Sequence, residues 1–194
     1  MIRSKHNIYF ERVMENTKKC IDVELNKDTD DICIRTPDIK DGMAVNQLIA
    51  NCPPLDTNSA YCNFLQCLHF ADTSALAEKN GRVIAFVSGY RVPSNPETLF
   101  IWQVAVGEEA RGHGLAQRLL HDIVSRPAQT DIRYIHTTIS PGNEASWAVF
   151  KRLAEQLQAK SERTLLLSRE EHFNGEHDDE MLLAIGPLPM TAKA

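Results

Sequence analysis

An α/β domain is the fold class that this sequence predicts, and three observations indicate it. Apolar runs rich in β-branched and aromatic residues have strand length, segments with one apolar face at helical spacing alternate with them, and Gly- or Pro-containing turns separate the two. Of the 194 residues, 43% are hydrophobic, enough for one domain with a sizeable core. The elements follow in the order β-α-α-β-β-β-α-β-α-β-β, which gives about seven strands and about four helices.

The first half of the chain supplies three strands and two helices. We predict strands at 32–35, 74–78 and 82–90 and helices at 37–49 and 61–69, the second helix with its apolar face at Tyr61, Phe64, Leu65 and Leu68. Asn80-Gly81 between two of the strands is the signal for a type I′ hairpin turn. Residues 1–31 mix charges with little apolar period, so we expect an N-terminal extension that is a mobile tail or a short helix outside the core.

The second half supplies the remaining four strands and two helices. We predict strands at 99–106, 132–139, 165–167 and 181–185 and helices at 115–126 and 143–153, with a polar loop at 171–180. We expect the domain to run from 32 to 186 and a C-terminal tail to occupy 187–194.

Composition excludes several function classes. The net charge of −5 argues against a nucleic-acid partner, because proteins that bind a phosphate backbone carry basic patches. The apolar runs are too short for a membrane span, which needs about 20 residues, and the N-terminus lacks a signal-peptide core. The five cysteines are odd in number and lack Cys-x-x-Cys spacing, so we expect a cytoplasmic protein with reduced thiols. The 171–180 segment lacks helical metal-ligand spacing, so we expect no metal.

A strand, a glycine-rich turn and a helix follow one another from Leu99 to Leu120. Gly112 and Gly114 let the first backbone N–H groups of the helix point at an anion, and the helix dipole favours negative charge there. The spacing fits neither a P-loop nor a dinucleotide fingerprint. The sequence therefore predicts a phosphate-bearing ligand at this turn.

Arg111-x-x-Gly114-x-Ala116, preceded by the strand end Val104-Ala105-Val106, resembles the pyrophosphate loop of the GCN5-related N-acetyltransferases (GNAT family), Gln/Arg-x-x-Gly-x-Gly/Ala. The resemblance covers about residues 32–186. It implies a mixed central β-sheet splayed at its two central strands, acetyl-CoA as cosubstrate and a homodimer as the usual assembly. It also implies that the backbone of 104–106 bonds the pantetheine arm and that the cofactor is held by Arg111, Gly112, His113, Gly114, Leu115, Ala116 and Asn143. Many members place a tyrosine general acid where this chain has Phe150, so another donor or water serves, or the thiolate leaves unaided.

Three further segments, 53–61 (Pro-Pro-Leu-Asp-Thr-Asn-Ser-Ala-Tyr), 101–106 (Ile-Trp-Gln-Val-Ala-Val) and His177-x-x-Glu180, resemble the branch of this family that acetylates the 4-amino group of L-2,4-diaminobutyrate for ectoine synthesis. Such an acceptor carries two ammonium groups and one carboxylate. We therefore expect Asp56 and Glu180 to hold ammonium groups and Trp102 and Tyr61 to supply walls and a hydroxyl. His177 could contact either an ammonium group or the carboxylate. The structural alternatives are core packing for Trp102 and helix packing for Tyr61.

Acetyl transfer needs a neutral amine, and an alkylammonium with a pKa near ~10.4 must lose its proton first. Glu180, His177 and Tyr61 are the candidate bases, without a ranking among them. Two alternative functions stay open. One is an acetyltransferase of the same fold for another amine, such as a polyamine, an aminoglycoside or a protein N-terminus. The other is a non-catalytic acyl-CoA sensor, which Phe150 favours.

Overall fold

A computed structural model describes residues 32–189 and contains one seven-stranded sheet. The strands are β1 (Ile32–Arg35), β2 (Ala75–Lys79), β3 (Arg82–Val92), β4 (Asn95–Val106), β5 (Tyr134–Ile139), β6 (Ser161–Leu167) and β7 (Glu180–Ile185). Their spatial order is β1-β2-β3-β4-β5-β7-β6, and every pair is antiparallel except β4 with β5. The mixed sheet and the order of its strands along the chain confirm the predicted fold class.

Five α-helices flank the sheet within the described residues: α1 (Gly42–Ala50), α2 (Ala60–His69), α3 (Leu115–Val124), α4 (Glu144–Gln156) and the short α5 (Arg169–Phe173). One apolar cluster packs α3 and α4 against one sheet face, where α3 buries Leu115, Leu119, Leu120 and Ile123. A second cluster packs α1 against alternate strand residues such as Leu76, Phe86 and Ala105. Because successive strand residues point to opposite faces, the two clusters lie on opposite sides of the sheet.

The face of α2 differs from the predicted one. The buried residues of this helix are Asn63, Gln66 and Cys67, whereas the ring of Tyr61 is exposed. Apolar periodicity misplaced the face because two of the buried positions are amides that hydrogen-bond to each other: Asn63 Nδ2 donates to Gln66 Oε1 at 2.9 Å. Helix packing therefore does not account for Tyr61.

The segments around the predicted polar loop 171–180 are more regular than expected. Strand β6 begins at Ser161, four residues earlier than predicted, and α5 begins at Arg169. Ser168 caps α5 with its hydroxyl, and Asp179 Oδ1 accepts a hydrogen bond from the Arg169 N–H at 2.6 Å. Strand β6 is an edge strand whose residues are almost all exposed, so its sequence carries no alternation of apolar and polar residues.

The predictions for the two chain ends and for the cysteines have different outcomes. Residues 1–31 and 190–194, which hold the expected extension and most of the expected tail, lie outside the described residues. Leu188 is buried in the larger cluster, so packing continues past residue 186. Cys33 takes part in a disulfide bond, which departs from the fully reduced set of thiols expected. Between residues 32 and 189, no helix is long and apolar enough to cross a membrane.

Candidate active site

The two central strands separate halfway along their length. Strands β4 and β5 pair only from Thr98 with Tyr134 to Ile101 with Thr137, although both strands continue beyond these residues. Residues 102–106 of β4 and 138–139 of β5 therefore bound an opening that we call the wedge. Backbone groups that a neighbouring strand would satisfy elsewhere in the sheet are available here to a ligand.

A β-bulge at Trp102 lies where the wedge begins. Ser88 of β3 pairs with Gln103 and Gly89 pairs with Ile101, so Trp102 is the extra residue on β4. A Cβ on Gly89 would come within 2.8 Å of the Phe100 carbonyl oxygen, so glycine permits this close approach of the strands. The Trp102 side chain is 43% exposed, which excludes the core-packing alternative.

The strand register decides which backbone groups face the wedge. The Gly107 N–H donates to the Ile84 carbonyl at 2.9 Å, so alternation along the antiparallel ladder directs Ala105 toward Phe86 of β3. The backbone groups of Val104 and Val106 therefore point away from β3 and into the wedge. The prediction grouped 104–106 together. The structure corrects it at Ala105, whose backbone faces β3 and whose side chain is buried in the α1 cluster.

The Val106 carbonyl is already engaged. It accepts a hydrogen bond from Arg111 Nε at 3.4 Å and from Cys52 Sγ at 3.5 Å. Burial raises the pKa of the Cys52 thiol, which keeps it protonated as a donor at neutral pH. The Val106 N–H and both backbone groups of Val104 therefore remain for a ligand, and Arg111 joins the wedge to the turn that follows.

The turn before α3 is shaped to receive an anion. Gly112 and Gly114 have φ of +81° and +68°, a conformation that glycine adopts at little cost. Gly114 is the N-cap of α3 and provides no side-chain cap, so the first N–H groups of the helix keep no partner within it. A Cβ on either glycine would meet nothing within 4 Å, so open space lies in front of these donors. Leu115 offers only its backbone, because its side chain is buried.

The loop between α1 and α2 lies against β4 beside the bulge. Gln103 Nε2 donates to the Asp56 carbonyl at 3.1 Å, which places Asp56 next to the strand position that follows Trp102. Ser59, not Asp56 or Asn58, caps α2, since its hydroxyl accepts from the Cys62 N–H. The Asp56 side chain is exposed and has no capping duty, which leaves its carboxylate available for a cation.

Glu180 begins β7 on the β5 side of the wedge. Its neighbour Met181 pairs with Ile139, the last residue of β5, and Ser140 Oγ donates to Glu180 Oε1 at 2.9 Å. The Glu180 side chain is half-buried and so has a defined orientation. His177 lies on the loop before β7 and is exposed, with its ring 5.3 Å from that of Phe173.

A cavity of about 680 Å³ adjoins Trp102 on the side away from the anion turn. Aromatic rings form much of its wall. The Tyr90 ring lies 5.7 Å from that of Phe70, 5.3 Å from that of Phe100 and, edge-on, 6.3 Å from that of Trp102. Trp102 thus belongs both to this cavity and to the wedge.

A splayed pair of central strands next to an uncapped, glycine-bounded helix start is the arrangement that the sequence resemblance implied. The model of the acetyltransferase (GNAT) family matches residues 44–154, more than half of the chain. The chain belongs to the GNAT family of acetyltransferases. The order of its elements and the wedge between its central strands agree with that membership.

Individual relatives show which members of the family this chain is similar to. The acetyltransferase is 48% identical over 157 residues to the L-2,4-diaminobutyric acid acetyltransferase of Methylotuvimicrobium alcaliphilum, covering 81% of this chain and 91% of that protein. It is 42% identical over 168 residues to the protein of the same name from Halomonas elongata, covering 86% of this chain and 87% of that one.

Solved structures agree with these relatives. The diaminobutyrate acetyltransferase of Paenibacillus lautus, in complex with its substrate L-2,4-diaminobutyric acid and coenzyme A, superposes with a TM-score of 0.79 and 38% identity. The match covers 86% of this chain and 99% of that one. The ribosomal-protein-S18-alanine N-acetyltransferase of Escherichia coli, at 13% identity and a TM-score of 0.61 over 84% of this chain and 98% of that one, shares the fold alone.

Two positions of this acetyltransferase matter for the family pattern. Asn143 is the N-cap of α4, and its Oδ1 accepts from the Ser146 N–H at 3.0 Å, so this oxygen has a structural duty at the start of the helix. Phe150 is buried in the core beside α3 and carries no proton to donate. The position at which the resemblance implies a tyrosine general acid is therefore occupied by a side chain that cannot donate a proton.

The structure adds Gln103 and Ser140, which the sequence analysis did not single out. Both are uncharged, and their partners Asp56 and Glu180 lie 47 and 40 residues away in the chain. No local spacing signals such contacts. The one hint in the sequence was that Gln103 is a polar residue within the otherwise apolar strand segment 99–106.

Proposed function

We propose that the protein transfers the acetyl group of acetyl-CoA to the 4-amino group of L-2,4-diaminobutyrate, giving N4-acetyl-L-2,4-diaminobutyrate. The observation that carries this function is the separation of β4 from β5 beyond Ile101, followed along the chain by the uncapped helix start at Gly114. The relatives and the Paenibacillus lautus complex, which share 38–48% identity, support the same acceptor.

The cofactor side follows from donors on the backbone. The N–H groups at the start of α3, with Gly112 and Gly114 leaving space before them, suit a diphosphate, and the positive end of the helix dipole adds to their attraction. Val104 and Val106 would bond the amides of the pantetheine arm as a neighbouring strand would. Arg111 and His113, both exposed at the turn, offer further contacts to phosphate oxygens.

The acceptor side combines negative charge with an aromatic wall. Asp56 and Glu180 supply carboxylates for two ammonium groups, and the exposed ring of Trp102, at the start of the wedge on β4, supplies the wall. The hydroxyl of Tyr61, whose side chain is 72% exposed, is available to the substrate carboxylate. We assign His177 the same region, three residues before Glu180.

Bound acetyl-CoA supplies a thioester carbonyl for attack by the acceptor amine. Glu180 is the base that the geometry favours, because its carboxylate is half-buried and oriented by Ser140, whereas His177 and Tyr61 are exposed. It would take one proton from the 4-ammonium group before the nitrogen forms its bond to the carbonyl carbon. As the C–S bond breaks, the nitrogen releases its second proton to water; with Phe150 buried, the departing thiolate takes up a proton through water or leaves as the anion, which a thiol pKa near ~8.5 allows.

The deciding experiment measures thiol release from acetyl-CoA with L-2,4-diaminobutyrate, ornithine, lysine, spermidine or no acceptor. We expect release with diaminobutyrate to exceed release with the other amines, and fragmentation of the product to place the acetyl group on N4. Faster release with spermidine would favour the alternative of another amine. Binding of acetyl-CoA with no release for any acceptor would favour the sensor, the alternative that the buried Phe150 supports.

The remaining expectations are part of the same proposal. We infer that the expected domain 32–186, extended through the buried Leu188, forms one catalytic domain, that the protein acts in the cytoplasm without a metal, and that it assembles as a homodimer. Its product is a substrate for cyclisation to ectoine, a compatible solute. Light scattering of the purified protein tests the dimer, and product formation in the presence of a chelator tests metal independence.

A further inference from the structure

Gln103 connects the loop between α1 and α2, which we call the acceptor loop, to the central sheet through both ends of its carboxamide. Its side chain is 9% exposed and follows the bulge residue Trp102 on β4. Nε2 donates to the Asp56 carbonyl at 3.1 Å, and Oε1 accepts from Asn58 Nδ2 at 2.9 Å. One side chain thus binds the residues on both sides of Thr57.

We call the two hydrogen bonds from Gln103 to the acceptor loop the clamp. Further hydrogen bonds between amide groups connect this loop to α1 and α2. Asn46 Nδ2 of α1 donates to the Asn58 carbonyl at 3.1 Å and to Asn63 Oδ1 at 2.9 Å. Asn63 in turn donates to Gln66 Oε1, and both of these residues of α2 are fully buried. The Asp56 carbonyl can only accept, so Nε2 of Gln103 faces it and Oε1 faces the donor Asn58 Nδ2, whereas Asn46 holds the same loop through the backbone carbonyl of Asn58.

An apolar residue of similar size at position 103 would keep the packing and lose the clamp. The Asp56 carbonyl and the Asn58 amide would then have to find water, and the loop would sample other positions. Because the Asp56 carboxylate makes no capping bond, its place beside Trp102 depends on how the backbone of this loop is held. A mobile carboxylate binds an ammonium group less tightly than a preorganised one, since ordering it costs conformational entropy.

We propose that Gln103 is a positioning residue that sets the affinity for the acceptor by holding Asp56 at the wedge. This inference rests on the proposed function, because it assigns Asp56 to the substrate ammonium. Gln103 itself touches no reacting atom. Its effect should therefore fall on the KM for diaminobutyrate and not on the chemical step or on acetyl-CoA.

The test compares Gln103→Met with Gln66→Met. Both replace a buried amide of the same chain of contacts by an apolar residue of similar length, and only the first touches the acceptor loop. We expect Gln103→Met to raise the KM for diaminobutyrate about tenfold, with kcat within about threefold and the Kd of acetyl-CoA unchanged. Gln66→Met should leave all three constants near those of the wild type. Asn58→Ala, which removes one half of the clamp at a half-buried site, should raise the same KM by a smaller factor.

A double-mutant cycle separates positioning from general stability. If Gln103 acts through Asp56, then Gln103→Met should add little to the KM of Asp56→Ala, whereas independent effects would multiply. An unchanged KM in Gln103→Met and Asn58→Ala, a parallel loss of acetyl-CoA binding, or multiplying effects in the cycle would each overturn the inference. Failure of the proposed function itself would appear differently, as absent diaminobutyrate turnover in the wild-type protein.

Discussion

Replacing Gly114 with glutamate should separate the phosphate site from every other property of the fold. Gly114 has φ +68° at the N-cap of α3, and Gly81 has φ +74° at the tip of the β2–β3 hairpin. A Cβ at either position meets nothing within 4 Å. The two sites therefore impose the same backbone cost on a side chain, and only one of them faces the anion turn.

The magnitudes follow from these two geometries. A non-glycine residue in the left-handed region costs about 1–2 kcal/mol, so Gly114→Ala and Gly81→Ala should lower the free energy of unfolding equally. A glutamate carboxylate held ~5 Å from one phosphate charge adds a repulsion of about 3 kcal/mol at an effective dielectric constant near 20. Gly114→Glu should then raise the Kd of CoA about 10²-fold, whereas Gly81→Glu should leave it unchanged.

Calorimetric titration with CoA and denaturant unfolding of the four variants measure the two quantities separately. The repulsive part should shrink as ionic strength rises, because the screening length falls from about 10 Å at 0.1 M to about 3 Å at 1 M, which is shorter than the ~5 Å between the two charges. Equal CoA affinity in Gly114→Glu and Gly81→Glu would refute the assignment of the diphosphate to this turn. The proposed contacts of Arg111, His113 and the first N–H groups of α3 with CoA would be refuted with it.

Three further outcomes test the site and the packing. Glu180→Ala should lower kcat at least about 10²-fold if Glu180 is the base, and near-wild-type turnover at saturating substrate would remove it from that role. Burial lowers the pKa of His136 below its ordinary value, so the unfolded state binds its proton first and stability should fall as pH decreases through about 6.5. Unfolding experiments at pH 7 and pH 5 should find a smaller loss in His136→Gln, and an equal loss would contradict the cause. Gly42→Ala places a Cβ against the Phe64 ring and should cost about 1–3 kcal/mol, partly restored by Phe64→Leu; no relief in the double variant would show that the clash is not the reason.

The sequence was sufficient wherever a feature depends on residues adjacent in the chain. The glycine turn at 112–114 and the apolar stripe of α3 are local, because φ preferences and helical periodicity are properties of a few neighbouring residues. The family resemblance rested on this same short segment. For this reason the turn and the helix start of the proposed cofactor site could be predicted.

The acceptor side depended on register and on contacts between distant residues. A single extra residue at Trp102 directs that side chain out of the core and turns Ala105 toward β3, and no local pattern marks a bulge in an otherwise regular apolar strand. The face of α2 was mispredicted for a related reason, since Asn63 and Gln66 are buried by hydrogen bonds that apolar periodicity does not register.

Local residue preferences thus specified the turn at which we propose that phosphate binds, because a glycine conformation and a helix end suffice to form it. The position of Asp56 and Glu180 around the wedge required the assembled sheet, because each is placed by a partner at least 40 residues away: Gln103 for Asp56 and Ser140 for Glu180. Hydrogen bonds between such distant residues form only after the strands have paired, so the sequence alone contained the residues of the proposed acceptor site but did not determine their arrangement.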